Sequence, residues 1–275
     1  MPVPEVTPLR IGECRGPDFA TRRGGALRMA RFPAGAALIG LPDGRRVLFD
    51  TGYGRAFFDA TRALPERAYR WTTPVRLDPH ESLPKALGGQ PPSLVILSHL
   101  HADHVAGLFD LDPTPPVLLS GDALARLGAM SRVQALKAGC PRLLRDRLLA
   151  LPAQFFHDLP QAAPPPGFAG FGPVRDVTGQ GDLLLVPLPG HGDDQHGLFL
   201  PRSSHGPLFL IADAAWSVEA LRRDTPPPRW TLARLGDAAA YLATFAALRG
   251  LMRQRPEITL LPAHCPQALA RKDKR

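Results

Sequence analysis

The sequence predicts an α/β protein, and three observations carry that reading. Short apolar runs such as Leu94-Val95-Ile96-Leu97 and Leu208-Phe209-Leu210-Ile211-Ala212 read as buried strands. Longer helical patterns, the longest over 236–250, fall between such runs, as a sheet covered by helices requires. Four apolar runs lead into residues that bind metals, at His99, His191, Asp213 and His264. One such coincidence means little. Four indicate strand ends gathered on one rim of a sheet, where rigid elements position chemistry.

The 275 residues are 44% hydrophobic and 21% charged, which excludes a disordered chain and suffices for one large domain over 1–275. Thirty-two prolines and 26 glycines imply many turns. The net charge of +8 comes mostly from scattered arginines. The only dense basic run, Arg271-Lys272-Asp273-Lys274-Arg275, reads as a solvated end. Basic and aromatic residues do not interleave, so no nucleic-acid partner is expected. Three distant cysteines without a CxxC give neither a disulfide framework nor a thiolate zinc site. Met1-Pro2-Val3-Pro4-Glu5 lacks the basic and apolar regions of a secretory signal, and no apolar run approaches the ~18 residues that span a bilayer. The expectation is a soluble cytoplasmic protein without membrane partners.

In chain order, residues 1–30 read as an edge strand or two plus loop. Ala36–Gly40 and Arg46–Phe49 flank Pro42-Asp43-Gly44, a hairpin signal. Asp50-Thr51-Gly52 follows the second of these strands, with Tyr53 next. Asp50 either orients a metal-bound histidine or forms an Asx-turn. A short helical pattern covers Ala56–Leu64, and a turn of helix over Ser82–Leu87 ends at Gly88-Gly89. The run 93–98 reads as a strand delivering Ser98-His99-Leu100-His101-Ala102-Asp103-His104, and a short helix begins at the end of that stretch. Residues 111–181, with helical patterns around 121–128, 130–138 and 142–150, read as a helical insertion beside the site, a cap or specificity wall.

Three histidines and an aspartate within six positions suit a borderline metal such as zinc. In extended chain His99 and His101 share a face and can reach one ion. If a helix begins near Ala102, Asp103 and His104 point elsewhere and can hold a second. His99, His101 and His191 would form one site; Asp103, His104 and His264 the other, with Asp213 between them. His80, His157 and His205 have no ligand-like context, and Asp193 and Asp194 read as turn formers. His196 could exchange roles with His191, but the Pro189-Gly190 prefix and strand-end position favour His191. Cys265 reads as a small packing residue.

The HxHxDH pattern of His99–His104, with Asp50-Thr51-Gly52, Pro189-Gly190-His191, Ala212-Asp213 and Pro262-Ala263-His264 in that order, resembles the metallo-β-lactamase superfamily over nearly the whole chain. The resemblance implies a four-layer αββα sandwich with its metals at one edge of the two sheets. It also implies a hydrolase whose nucleophile is a hydroxide bridging two divalent ions, with zinc the first choice and iron or manganese the others. Asp213 stands where some true β-lactamases carry Cys, which argues against that branch.

Within the superfamily the pattern is similar to N-acyl-homoserine lactone lactonases and related esterases. The expected reaction is hydrolysis of a small-molecule ester or lactone, with Asp103 as the catalytic proton carrier; phosphodiesterase, nuclease or thioesterase activity is the alternative. Lactonases commonly carry a Tyr where this chain has Trp216, which offers an indole N–H and an apolar face. Trp216 and Tyr53 are therefore candidate substrate contacts. Apolar residues of 111–181, together with Trp71 and Trp216, are candidates for an acyl-chain pocket or for the core. Self-association into a homodimer stays open.

Overall fold

The computed structural model describes residues 2–267 and Leu269. The basic run Arg271–Arg275 lies outside them. Seven strands form the first sheet: β1 (Glu5–Pro17), β2 (Met29–Gly40), β3 (Arg46–Phe49), β4 (Val75–Arg76), β5 (Leu94–Ile96), β6 (Val117–Leu119) and β7 (Gln154–Phe155), in the order β4-β1-β2-β3-β5-β6-β7. Six form the second: β8 (Gln161–Ala162), β9 (Val174–Asp176), β10 (Leu184–Pro187), β11 (His196–Leu200), β12 (Leu208–Ala212) and β13 (Thr259–Pro262), in the order β13-β12-β11-β10-β9-β8.

Period-two alternation sorts the side chains of these strands into layers. From β3, Val47 and Phe49 enter the core between the sheets while Leu48 enters the core under the outer helices. From β5, Ile96 takes the inner side, and Val95 and Leu97 the outer. The second sheet repeats this: Leu185, Leu208, Leu210 and Ala212 face inward, whereas Leu184, Val186, Phe209 and Ile211 pack against the helices on the other flank. Strands apolar on both faces must be covered on both faces. Three cores in series therefore make four layers, αββα, as the resemblance implies.

Strand direction then collects the site. β3 and β5 are parallel, β10 and β12 are each antiparallel to β11, and β12 is parallel to β13. Within each sheet these strands run the same way. Asp50, His99, His191, Asp213 and His264 all follow their C-terminal ends. Parallel neighbours need long crossovers; the helices Val218–Arg223, Arg229–Leu235 and Ala238–Gln254 fill the one from β12 to β13.

Two expectations need correction. β1 is an edge strand only in part: β2 pairs along it, and β4 covers its other side at Glu13 and Cys14. Residues 111–181 are only in part a helical insertion, because β6 pairs with β5 and β9 with β10, extending both sheets. Val117-Leu118-Leu119 is buried on both faces, which an added cap would not need. Between β6 and β7 lie the helices Gly121–Ala129, Arg132–Lys137 and Arg142–Leu149. No helix among the described residues is long and apolar enough to cross a membrane.

The layered core gives a test. Leu185 is fully buried between the sheets, and Leu185→Ala is expected to lower unfolding stability by about 2–5 kcal/mol. Val133→Ala, at a side chain 51% exposed, is expected to change it by less than about 1 kcal/mol. Urea midpoints at unchanged slope measure both.

Candidate metal centre

Asp50 leaves β3 in the left-handed region (φ 59), which turns its carboxylate toward the neighbouring strand end. Oδ1 accepts the Ser98 N–H at 2.8 Å, the Ser98 hydroxyl donates to Oδ2 at 2.8 Å, and Oδ2 faces His104 Nδ1 at 2.8 Å. The carboxylate thus serves Ser98 and His104, not an Asx-turn of its own. Thr51 adds a hydroxyl bond to the His104 carbonyl at 2.7 Å. The helix behind the motif approaches so closely that a Cβ on Gly107 would stand 2.1 Å from the Thr51 carbonyl oxygen.

These contacts set the tautomers. The Ser98 oxygen, its proton given to Asp50, accepts from His99 Nδ1 at 3.0 Å, leaving His99 Nε2 buried and unpartnered. His104 donates from Nδ1 to Asp50, and its Nε2 faces Asp213 Oδ1 at 3.4 Å. His264 donates from Nδ1 to the Pro33 carbonyl at 2.7 Å, and its Nε2 faces Asp213 Oδ2 at 3.1 Å and Asp103 Oδ2 at 3.3 Å. Outer bonds of this kind aim the remaining ring nitrogen of a metal-binding histidine.

Two other loops close the cluster. Gly190 (φ 119) passes so near the helix Ala238–Gln254 that a Cβ would meet Tyr241 N at 2.1 Å, and this turn delivers His191. His191 Nε2 lies 3.0 Å from His101 Nδ1 and 3.2 Å from Asp213 Oδ2. Asp213 follows Ala212, itself left-handed at φ 45. Its amide donates to Gln195 Oε1 at 3.1 Å, while Gln195 Nε2 donates to the Leu188 carbonyl at 3.2 Å. Gln195, buried at 1% exposure, thereby ties the His191 loop to Asp213. Sequence reading missed it, since nothing in a Gly/Asp-rich turn singles out one amide.

Three sets of donor atoms result, each within 4.8 Å of one another: His99, His101 and His191; His99, His104 and Asp213; Asp103, His104 and His264. Imidazole lone pairs and carboxylate oxygens face one another in a buried space, a repulsive arrangement unless protons or cations lie between them. The oxygen-and-nitrogen donor set suits a borderline divalent ion. Electrostatics divide the histidines. Burial pushes His99 and His101 down and His191 to about 3, so these rings are neutral at pH 7. For His104 and His264 burial is outweighed, by Asp50 and Asp213 at His104 and chiefly by Asp213 at His264, and both are raised. Burial also pushes the Asp103 and Asp213 carboxyls up, but the histidines beside them win and hold both below the usual range.

The remaining candidates stand outside these three sets. His196 is buried with Nδ1 2.9 Å from the Asp194 carbonyl and its ring against Phe156, outside all three sets. His80 and His157 are exposed, and His205 reaches the Val6 carbonyl. Asp193 pairs with Arg126 at 3.4 Å. Cys265 is buried. Trp216 sits at the site, its ring 6.1 Å from that of His191 and its indole N–H buried without a partner. Tyr53 does not line a substrate space: at 1% exposure it packs edge-on against Phe57 in the apolar core. Trp71 is exposed beneath Arg67. A cavity of about 370 Å³ opens beside His101, bounded by Leu100, Leu127, Met130 and Leu235 among others.

A family model described as the Metallo-beta-lactamase superfamily matches residues 32–264. Solved structures share the fold. An N-acyl homoserine lactone hydrolase with N-hexanoyl-L-homoserine at its catalytic metal center is 15% identical, covering 97% of this chain and 95% of that one at a TM-score of 0.70. A mutant of AiiA from B. thuringiensis with N-decanoyl-L-homoserine bound gives the same identity, coverage and score. A probable metal-dependent hydrolase from Staphylococcus aureus is 14% identical over 96% of this chain and 91% of that one, at a TM-score of 0.64. No curated protein matches the sequence.

The split among the histidines predicts proton release. Raised pKa values keep His104 and His264 protonated at neutral pH, and a metal must displace those protons; His99, His101 and His191 have none to lose. Zinc titration calorimetry at pH 7, in buffers of different ionisation enthalpy, is expected to show a net release of protons on metal loading. No release would contradict the assignment.

Proposed function

Because the chain belongs to the metallo-beta-lactamase superfamily, we propose that it hydrolyses carboxylic esters or lactones with two divalent ions, zinc by the character of the donors. His99, His101 and His191 would hold one ion, Asp103, His104 and His264 the other, with Asp213 shared. The placement of Asp213 carries this reading: its oxygens lie 3.2 Å from His191 Nε2, 3.4 Å from His104 Nε2 and 3.1 Å from His264 Nε2. Such ions supply a water deprotonated near neutral pH and polarise a carbonyl.

The chain's own residues do the rest. Beside the cations Asp103 would be ionised, and the carboxylate oxygen not engaged at His264 would be its proton acceptor. Its weakened basicity then favours passing that proton to the leaving alkoxide. Trp216, whose indole N–H is buried without an acceptor near the His191 ring, would donate to a substrate oxygen if the site opens to admit one there. Asp50 and Gln195 hold His104 and Asp213 in place without touching substrate. The cavity beside His101 has the size of a small-molecule site, and the lactone hydrolases that share the fold support an acyl lactone or ester as its occupant.

A panel of acyl lactones, aryl esters, thioesters and phosphodiesters, with metal content measured on the same sample, tests the proposal. Ester or lactone turnover with two ions per chain is expected; activity on phosphodiesters alone would overturn it. Asp103→Asn is expected to lower kcat by a factor of about 10²–10⁴ and to weaken binding of one of the two ions. Full activity with both ions retained would remove Asp103 from its role.

A further inference from the structure

The cavity beside His101 is built asymmetrically. Where it meets the metal centre its wall is Leu100, His101 and Gly192. Ala123 and Leu127, from the helix Gly121–Ala129, continue an apolar surface with Met130 and Leu235. Two exposed cations complete the lining from different parts of the chain: Lys137, in the last turn of the helix Arg132–Lys137, and Arg234, in the last turn of the helix Arg229–Leu235. Among the described residues neither has a carboxylate partner; Arg234 rests over the Trp230 ring at 5.9 Å. The one acid on the lining, Asp193, is engaged by Arg126 at 3.4 Å. The helix bearing Lys137 is anchored by a capping box between Ser131 and Gln134, so that cation projects from a fixed backbone.

A cavity beside the reacting centre that is mostly apolar and carries two exposed, unpaired cations on its lining matches one ligand chemistry. Resting on the hydrolase reading above, we propose that the arm of the substrate entering this cavity is an apolar chain that ends in an anionic group, a carboxylate in the simplest case. The chain would lie along Leu100, Leu127, Met130 and Leu235, and the carboxylate would meet Lys137 and Arg234 at the mouth. A methyl-terminated chain would bury the same apolar surface but leave both cations without a counter-charge. Because both lie at the surface, the preference is moderate and screened by salt.

The test compares the zinc-loaded protein on two aryl esters of equal length, the octanoate and the monoester of suberic acid. A kcat/KM ratio favouring the suberate by about three- to tenfold at low ionic strength is expected. That ratio should fall toward unity at high salt, and invert in the Lys137→Glu, Arg234→Glu double variant. A ratio at or below unity, or one unmoved by charge reversal, overturns this inference and leaves the hydrolase reading standing. Turnover of neither ester overturns this inference, and the hydrolase reading falls with it if no acyl lactone is turned over either. Because the readout is a ratio within each protein, partial misfolding of the variant does not imitate the effect.

Discussion

Asp213 is a carboxylate 3% exposed, set among the ring nitrogens of three histidines from three separate loops. Charge placed so deep costs several kcal/mol unless compensated, and much of the surrounding structure arranges that compensation. Asp50 and the Pro33 carbonyl take the outer protons of His104 and His264, leaving the inner nitrogens aimed at Asp213. Gln195 holds the Asp213 amide and so fixes where the carboxylate starts. The cluster turns ring nitrogens and carboxylate oxygens inward, which is repulsive unless protons or cations lie between them.

The fold exists to bring those loops together rigidly. Alternating side chains stitch each strand to an inner and an outer core, so each strand is held on both faces. Direction then does the sorting: strands aligned within each sheet end on one rim, whatever the distance in sequence. Three non-glycine residues beside the cluster lie in the left-handed region: Asp50, Ala212 and, in the His191 loop, Asp194. Backbone held this way persists only when the surroundings over-determine it, and the bonds around Asp50 and Asp213 do so.

Much of this was legible in the residues. Apolar runs leading to His99, His191, Asp213 and His264 marked both the strands and the rim where they end, because burial on two faces leaves an unmistakable pattern. The four layers came through the resemblance, since periodicity alone does not say which sheet packs on which. What stayed hidden depends on tertiary partners. Whether Asp50 serves its own turn or His104 is decided by a strand 48 residues away, at Ser98. Gln195 looks like any polar turn residue until Leu188 and Asp213 are placed on either side of it. Tyr53 follows a site loop in sequence, yet the chain turns its ring into the core against Phe57. Val117–Leu119 reads as strand from its apolar run, but only its pairing with β5 shows that it extends the first sheet and is not part of an insertion.

The central claim is that the inward-facing donors form a two-ion centre with Asp213 shared. Anomalous diffraction from crystals grown with zinc measures this most directly. Two peaks about 3.5–4 Å apart are predicted, one on His99, His101 and His191, the other on Asp103, His104 and His264, with Asp213 touching both. A single ion, or none within this cluster, would contradict the account.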